Sequence, residues 1–494
     1  MPAHRLHTAA VAVADSLASA GTTVTVQPPR RGSRASDPGP VSPTRDDSLV
    51  RGLSEVVGGP VGEHASRHPW WSPLRVVLVV AAVVMAVGML GKAPCTGGQW
   101  LVGDQRFTEL CWSDVASTYT GAGYAEGIWP WTEDEQIRLR YPVGTQPALT
   151  SYAAWLAARV THSLSGSPDL AARSALTVAE VSERPEVKRE ARLFTVINGL
   201  LLAALGLLAA AAVTLLDRRR PWDGAAFAAA PLLALAWLTS WQLAAAAGVA
   251  GALWAWSRGR PALAGLCVAL AASVSLPAAM VLVAVVGVAA RARQWRDLAL
   301  AVAAGVVAFV VVQLPAWATG PSTWRTHWSQ AWDSRPEIGS VWLLVEQVRD
   351  IELHPAGLTL ALMLGYSVAL VVLALRAPSP PRLAQLGLLA VAAALLLGDA
   401  GSPSYPLVLL PLAAAAVPRW RDLLVWQGCE VFHLVMTGFY LGAELAPGAG
   451  GDAKAYWLAI IVRLIGLLWL VGVVVRDLWW PAQETTTESN AVAV

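Results

Sequence analysis

The sequence predicts an all-α, polytopic membrane protein: a bundle of about twelve transmembrane helices with a large first extracytoplasmic loop. Three observations carry this. Of 494 residues, 55% are hydrophobic and only 14% charged, against roughly 25% charged in a soluble domain. Apolar runs such as 200–216 and 298–314 are longer and purer than soluble cores supply. Arginine-rich turns punctuate the apolar runs. The net charge of +2 selects no partner class, and nothing points to nucleic acid.

Residues 1–73 come first. The stretch "QPPRRGSRASDPGPVSPTR" is rich in Pro, Gly, Ser and Arg. Such a segment cannot bury enough apolar area to offset its chain entropy, so a disordered cytoplasmic tail is expected. The first apolar run begins near residue 74, too late for a secretory signal peptide. The membrane domain then extends over 74–476, and 477–494 form a second loose cytoplasmic tail.

Topology follows from the cations, which prefer the cytoplasmic side in short loops. "DRRRPWD" (217–223), "SRGRP" (257–261), "RARQWRD" (291–297), "RAPSPPR" (376–382) and "PRWRD" (418–422) are all set inside. The apolar segments then fall at 74–91, 193–216, 225–240, 241–256, 262–275, 277–290, 297–318, 356–376, 383–398, 403–417, 423–443 and 455–475. Both termini are cytoplasmic, in a multi-pass protein of the plasma membrane. Residues 92–192 become extracytoplasmic. The apolar stretch 147–163 within them is read as a helix lying on or dipping into the membrane, because a further pass would invert every later loop. The segments between 225 and 290 are short for a bilayer core and demand tightly turned pairs.

The chain has four cysteines. Cys267 and Cys429 sit inside apolar runs, as packing residues. Cys95 and Cys111 flank the first loop and can bridge in an oxidising compartment. Most of the 24 tryptophans fit interfacial positions. The outward turns gather polar groups: Ser240, Trp241 and Gln242; Ser273 and Ser275; Asp399, Ser402, Ser404 and Tyr405. The outer loop after residue 318 adds Arg325, His327, Asp333 and Arg335. Polar groups at membrane depth persist where they line water or protein. Helix and turn capping accounts for such residues equally well, and Asp114 in "SDVASTY" suits a helix N-cap. Arg335 can equally be a loop charge paired with Asp333 or Glu337. No GxxxxGK[ST], HExxH or paired CxxC is present, which leaves soluble nucleotide and metal-peptidase chemistry without a motif.

Several ordered fragments carry a likeness: "KAPC", then "LCWSD" with Tyr119 and "EGIWPW", "YPVGT", the turn at Trp241, "SRPEIGSVW", and "SPSY" followed by "PRWRDLLVWQGCEVF". Together they resemble bacterial membrane glycosyltransferases of the GT-C type, closest to glycosyltransferase family 87, the polyprenol-phosphate-mannose-dependent mannosyltransferases and their relatives. The resemblance implies a sugar, mannose first, passed from a polyprenyl-phosphate donor to a glycolipid or cell-envelope glycan. It implies Asp114 as the base and inversion at the anomeric carbon. The donor phosphate is expected on Arg335 and Arg325, with His327 and Arg140 next. Tyr119, Trp241, Gln242, Ser402 and Tyr405 are expected to line the substrate cavity. The sequence calls for no metal and no cofactor; the partners are membrane lipid, donor and acceptor. The chain departs from the family pattern at Ser240-Trp241-Gln242, Val274-Ser275-Leu276-Pro277, Gly398-Asp399 and Arg140. These departures keep two alternatives open: a catalytically silent relative that binds glycolipid or scaffolds envelope synthesis, and a lipid or sugar transporter.

Overall fold

The structure, a computed structural model, describes residues 70–97, 103–333, 335–399, 401–445 and 453–480. The expected tails lie almost wholly outside these residues. Among the described residues the ordered elements are all helical. The main ones are α1 Pro73–Leu90, α2 Asp114–Gly121, α3 Ala148–Leu164, α4 Pro185–Thr214, α5 Asp223–Ala228, α6 Pro231–Ala236, α7 Gln242–Ser257, α8 Pro261–Ala272 and α9 Val281–Ala292. They continue with α10 Trp295–Thr319, α11 Pro321–Asp333, α12 Val341–Arg349, α13 Ala356–Arg376, α14 Leu383–Leu397, α15 Pro406–Ala416, α16 Trp420–Leu441 and α17 Ala453–Trp479. Five of them, α1, α4, α10, α13 and α17, are long and apolar enough to cross a bilayer. The protein is therefore embedded in a membrane.

Proline starts many of these helices. Pro73, Pro185, Pro231, Pro261 and Pro406 stand in the first turn, where the missing N–H has no partner to lose. The same property divides the segment predicted as one run at 225–240. Pro231 cannot donate to the helix before it, and the chain breaks into α5 and α6. The segment expected at 277–290 likewise opens with a 3-10 turn, Leu276–Met280, before α9.

Small residues set the closest packing. A Cβ on Gly265 of α8 would meet the carbonyl oxygen of Ala301 on α10 at 1.9 Å, and one on Gly305 would approach Gly265. Gly88 on α1 sits as tightly against Ala234 of α6. Helices in lipid gain little from the hydrophobic effect against one another, so such close backbone approach supplies the attraction.

The arginine turns gather at one end of the bundle. Arg258 donates to Leu215 O (2.6 Å) and Arg291 to Ala377 O (3.0 Å), while Arg382 donates to Ala415 O and Ala416 O (3.2 and 3.0 Å). Each acceptor is a free carbonyl at a helix C-terminus, where positive charge is favoured. Arg419 joins them through Asp422 and Asp477. The turns carrying Asp114, Thr239, Ser404 and Glu337 lie at the opposite end.

Helix α3 runs across that opposite end. Its Tyr152 hydroxyl inserts into α10 beside Pro315, accepting from Ala316 N (2.8 Å) and donating to Val312 O (3.2 Å). That hydroxyl fills a break in the α10 ladder next to its proline. Farther along, His162 lies edge-on to Tyr119 of α2. Both halves of α3 thus contact the Asp114 end.

Candidate functional site

The site is built on turns. Ser113 is the N-cap of α2: its hydroxyl accepts from Ala116 N (3.3 Å) and donates to Leu238 O (2.6 Å). The neighbouring backbone N–H of Asp114 donates to Thr239 O (2.8 Å). The α2 start is therefore fixed to the turn after α6. A disulfide between Cys95 and Cys111 ties the preceding chain, with 16 residues of separation. A closed loop of that length contributes about 3 kcal/mol through chain entropy. Cys111→Ser should therefore lower thermal stability and loosen Trp112–Asp114; an unchanged melting profile, with or without reductant, would contradict this.

With Ser113 as the cap, the Asp114 carboxyl is left over for something else. It is solvent-reachable, while Ser113 and Val115 beside it are buried. Protein nevertheless surrounds it closely, and burial raises its pKa to about 6 against the opposing pull of Lys92 and Arg106. A carboxyl closely surrounded by protein and yet reached by water implies a recess beside it. Lys92 is buried with its ammonium donating to Leu110 O (3.2 Å), Trp112 O (3.0 Å) and Thr239 Oγ1 (3.5 Å). Burial lowers its pKa to about 8, and Asp114 acts the other way. Lys92 therefore acts on the recess as a fixed charge, its donors already occupied.

A second carboxylate, Glu337, lies within electrostatic reach of Asp114. Glu337 is solvent-reachable between the buried residues Pro336 and Gly339. Its Oε2 accepts from Gly401 N (3.2 Å). Its pKa is raised to about 7, by burial first and also by Asp399 and Asp114, with the Gly401 hydrogen bond and Arg463 opposing. Ser240 donates to Ser404 (2.8 Å), and Ser404 contacts Ser402 (3.2 Å). These hydroxyls join the Asp114 side to the Glu337 side. Tyr405 lies within electrostatic reach of both Glu337 and Asp399. Trp241 and Gln242 are buried on the same turn, with the Trp241 Nε1 and Gln242 Oε1 lacking hydrogen-bond partners in the protein.

The residues proposed from sequence divide into two groups. Asp114, Trp241, Gln242, Ser402 and Tyr405 lie on the connected turns. The others are engaged elsewhere. Tyr119 is buried and donates to Glu190 (2.6 Å). Arg140 pairs with Glu126 (2.7 Å) and donates to Leu176 O (2.6 Å). Arg325 is exposed on α11, within reach of Glu133. His327 Nδ1 contacts Gly144 O at 2.6 Å, its ring edge-on to Trp131. Arg335 is exposed and paired with Glu352, so Glu337 has no partner in Arg335. The cations that act on Asp114 are Lys92 and Arg106, neither of which the sequence singled out.

An apolar groove of about 460 Å³ lies apart from these carboxylates, on the flank formed by α3, α4, α7 and α8. Leu205, Leu208, Leu215 and Trp254 line its length, and Leu149, Ala244 and Val274 line the part next to the Gln242 and Ser275 turns. Ser275 is buried with its hydroxyl lacking a hydrogen-bond partner in the protein.

Residues 185–402 match the family model of glycosyltransferase family 87. Over that stretch the chain is family 87-like. The matched portion runs from α4 to the Ser402 turn, and so takes in the Thr239, Glu337 and Gly401 turns but not Asp114 itself. Among solved structures, this chain is similar to ArnT from Cupriavidus metallidurans bound to undecaprenyl phosphate, at 16% identity and a TM-score of 0.37, over 82% of this chain and 76% of that one. So distant a likeness says nothing about the chemistry. No curated protein matches the chain.

Proposed function

We propose that this protein is an inverting membrane glycosyltransferase that moves a sugar, mannose first, from a polyprenyl-phosphate donor to a glycolipid or cell-envelope glycan on the extracytoplasmic side. The observation that carries the reading is the Asp114 carboxyl, freed from capping, open to water and set at the end of the bundle opposite the arginine turns. Cation-rich turns favour the cytoplasm, so Asp114 faces away from it. Nucleotide sugars are absent there, so the donor has to be carried on a lipid.

Asp114, ionised, takes the proton of the acceptor hydroxyl as its oxygen attacks the anomeric carbon. The bond from that carbon to the donor phosphate breaks on the opposite face, and the phosphate leaves with the electron pair. Lys92 and Arg106 keep that base ionised, since both pull its pKa down. Their presence beside Asp114 favours a working enzyme over a silent relative, because a general base has to be ionised to act.

The test is transfer in vitro. Full-length protein in lipid nanodiscs is given synthetic polyprenyl-phospho-mannose or polyprenyl-phospho-arabinose with extracted glycolipid acceptors. A labelled product from either donor supports the reading, and its absence with every donor and acceptor refutes it. The pH profile adds a second check. A base works only when deprotonated, so kcat/KM should fall about tenfold per unit below a pKa near 6. Lys92 holds that pKa down, so Lys92→Gln should move the acid limb to higher pH. A limb that stays in place, or moves to lower pH, would contradict the assignment.

A further inference from the structure

The Glu337 turn is held from beneath by an unusual group of buried charges. Arg463 on α17 and Glu430 and His433 on α16 are each 0% exposed. Arg463 Nε stands 3.5 Å from Glu430 Oε2, and Trp426 Nε1 donates to Glu430 Oε1 (3.0 Å). Arg463 Nη1 donates to Gly339 O (2.7 Å), two residues from Glu337. The Arg463 Nη2 and His433 Nδ1 atoms have no hydrogen-bond partner in the protein. Charges at membrane depth are costly, and a buried pair rarely adds net stability over apolar packing. Something other than stability has to account for them.

The glycines show what the group touches. Gly339 has φ +84°, a conformation that other residues adopt at a cost. A Cβ there would come within 2.4 Å of Gly401 O and 2.5 Å of His433 Nε2. A Cβ on Gly401 would come within 2.4 Å of the Gly339 carbonyl carbon. The two turns are thus clasped backbone to backbone, with Gly401 N–H on the Glu337 carboxylate and Arg463 on the Gly339 carbonyl. From Gly401 the chain leads through Ser404 and Ser240 to Thr239, whose carbonyl holds Asp114. This contact path ties the Glu337 turn to the start of α2, which carries Asp114.

We propose that Glu337 is an acceptor-binding residue, its carboxylate accepting hydrogen bonds from the hydroxyls of the incoming sugar, and that Arg463 is the positioning residue that holds its turn. This rests on the function proposed above and deepens it. The recess lies on the acceptor side of the anomeric carbon, because Asp114 must reach the attacking hydroxyl. It is negative where Glu337 and Asp399 stand, which repels a phosphate but suits a neutral polyol. Carboxylates bind hydroxyls through charge-assisted hydrogen bonds, the stronger kind. Glu337 is faced by Asp399, Asp114 and Arg463, and lies within reach of Tyr405 and Tyr456.

The experiment compares Glu337→Gln with wild type in the nanodisc assay, varying donor and acceptor separately. The expected result is an acceptor KM raised about tenfold or more, with the donor KM and kcat within about twofold. In an Asp114→Asn background, which removes turnover, acceptor binding should weaken by the same factor when Glu337→Gln is added. Replacing Arg463 alone strands the Glu430 charge and can prevent folding, so the partner test is the neutral pair Arg463→Met with Glu430→Gln. It should reproduce the acceptor-specific KM change. An unchanged acceptor KM in Glu337→Gln, or a change in donor KM instead, overturns the inference while the transferase reading stands. Wild-type protein inactive with every lipid-linked donor overturns both.

Discussion

Asp114→Asn should yield a folded protein whose kcat for sugar transfer is lower by about 10²- to 10⁴-fold, the usual worth of a general base. The structure makes this substitution unusually clean. Ser113, not Asp114, supplies the N-cap of α2, so the carboxylate can be neutralised without uncapping the helix. The bond that anchors residue 114 is its backbone N–H to Thr239 O, which asparagine keeps. What is lost structurally is the favourable placement of a negative charge in the first helical turn, worth typically 0.3–1 kcal/mol. Neutralising a surrounded carboxyl also removes a desolvation cost, which acts in the opposite direction. Stability and catalysis should therefore separate. Thermal unfolding in detergent and the elution profile should match wild type while turnover collapses. Transfer retained to within tenfold would remove Asp114 as the base. Parallel loss of fold and activity would return it to a structural role.

The helices were legible in the sequence because lipid imposes one requirement on long stretches of chain. The expected runs at 297–318, 356–376 and 455–475 correspond to α10, α13 and α17, each with an apolar window and arginines near one end. What the apolar pattern could not show was interruption. The run at 225–240 is greasy throughout, yet Pro231 divides it, because hydropathy is blind to a missing N–H. The site was legible only in part, for a different reason. Asp114 and the turns at Trp241 and Ser402 share a polar signature at outward helix ends. Lys92, Arg106 and Glu337 do not stand out, since their meaning depends on turns far apart in sequence meeting in space. Glu337 in particular sits two residues from Arg335, and a pair between them was one of the readings the sequence left open; the structure gives Arg335 to Glu352 instead. One signal was available: the glycines at 339 and 401 mark the backbone clasp that holds the Glu337 turn.

The largest stability effect should come from the buried ion pair beneath the layer that residues 103–184 form over one end of the bundle. Arg173 and Glu190 are 3% and 4% exposed. Their two hydrogen bonds form a parallel fork, Nη1 to Oε2 and Nη2 to Oε1, both at 2.7 Å. Arg173 also donates to Ala125 O (2.8 Å), and Tyr119 donates to the same Glu190 (2.6 Å). Three parts of the outer layer therefore converge on one carboxylate of α4: the Leu170–Ser174 helix, the turn at Ala125, and α2, which carries Asp114 at its start. Arg173→Met leaves Glu190 charged and unpaired in a dry site, a loss of about 3–5 kcal/mol. Against a typical total of 5–15 kcal/mol for a domain, that is enough to release the layer while the apolar bundle stays assembled. Limited proteolysis should then cut within 103–184 in the variant and spare the wild type, and activity should fall with the cleavage. Adding Glu190→Gln should recover part of the loss, because it removes the stranded charge. A variant as protease-resistant as wild type, or a double variant less stable than the single, would show that the fork does not hold the layer to the bundle.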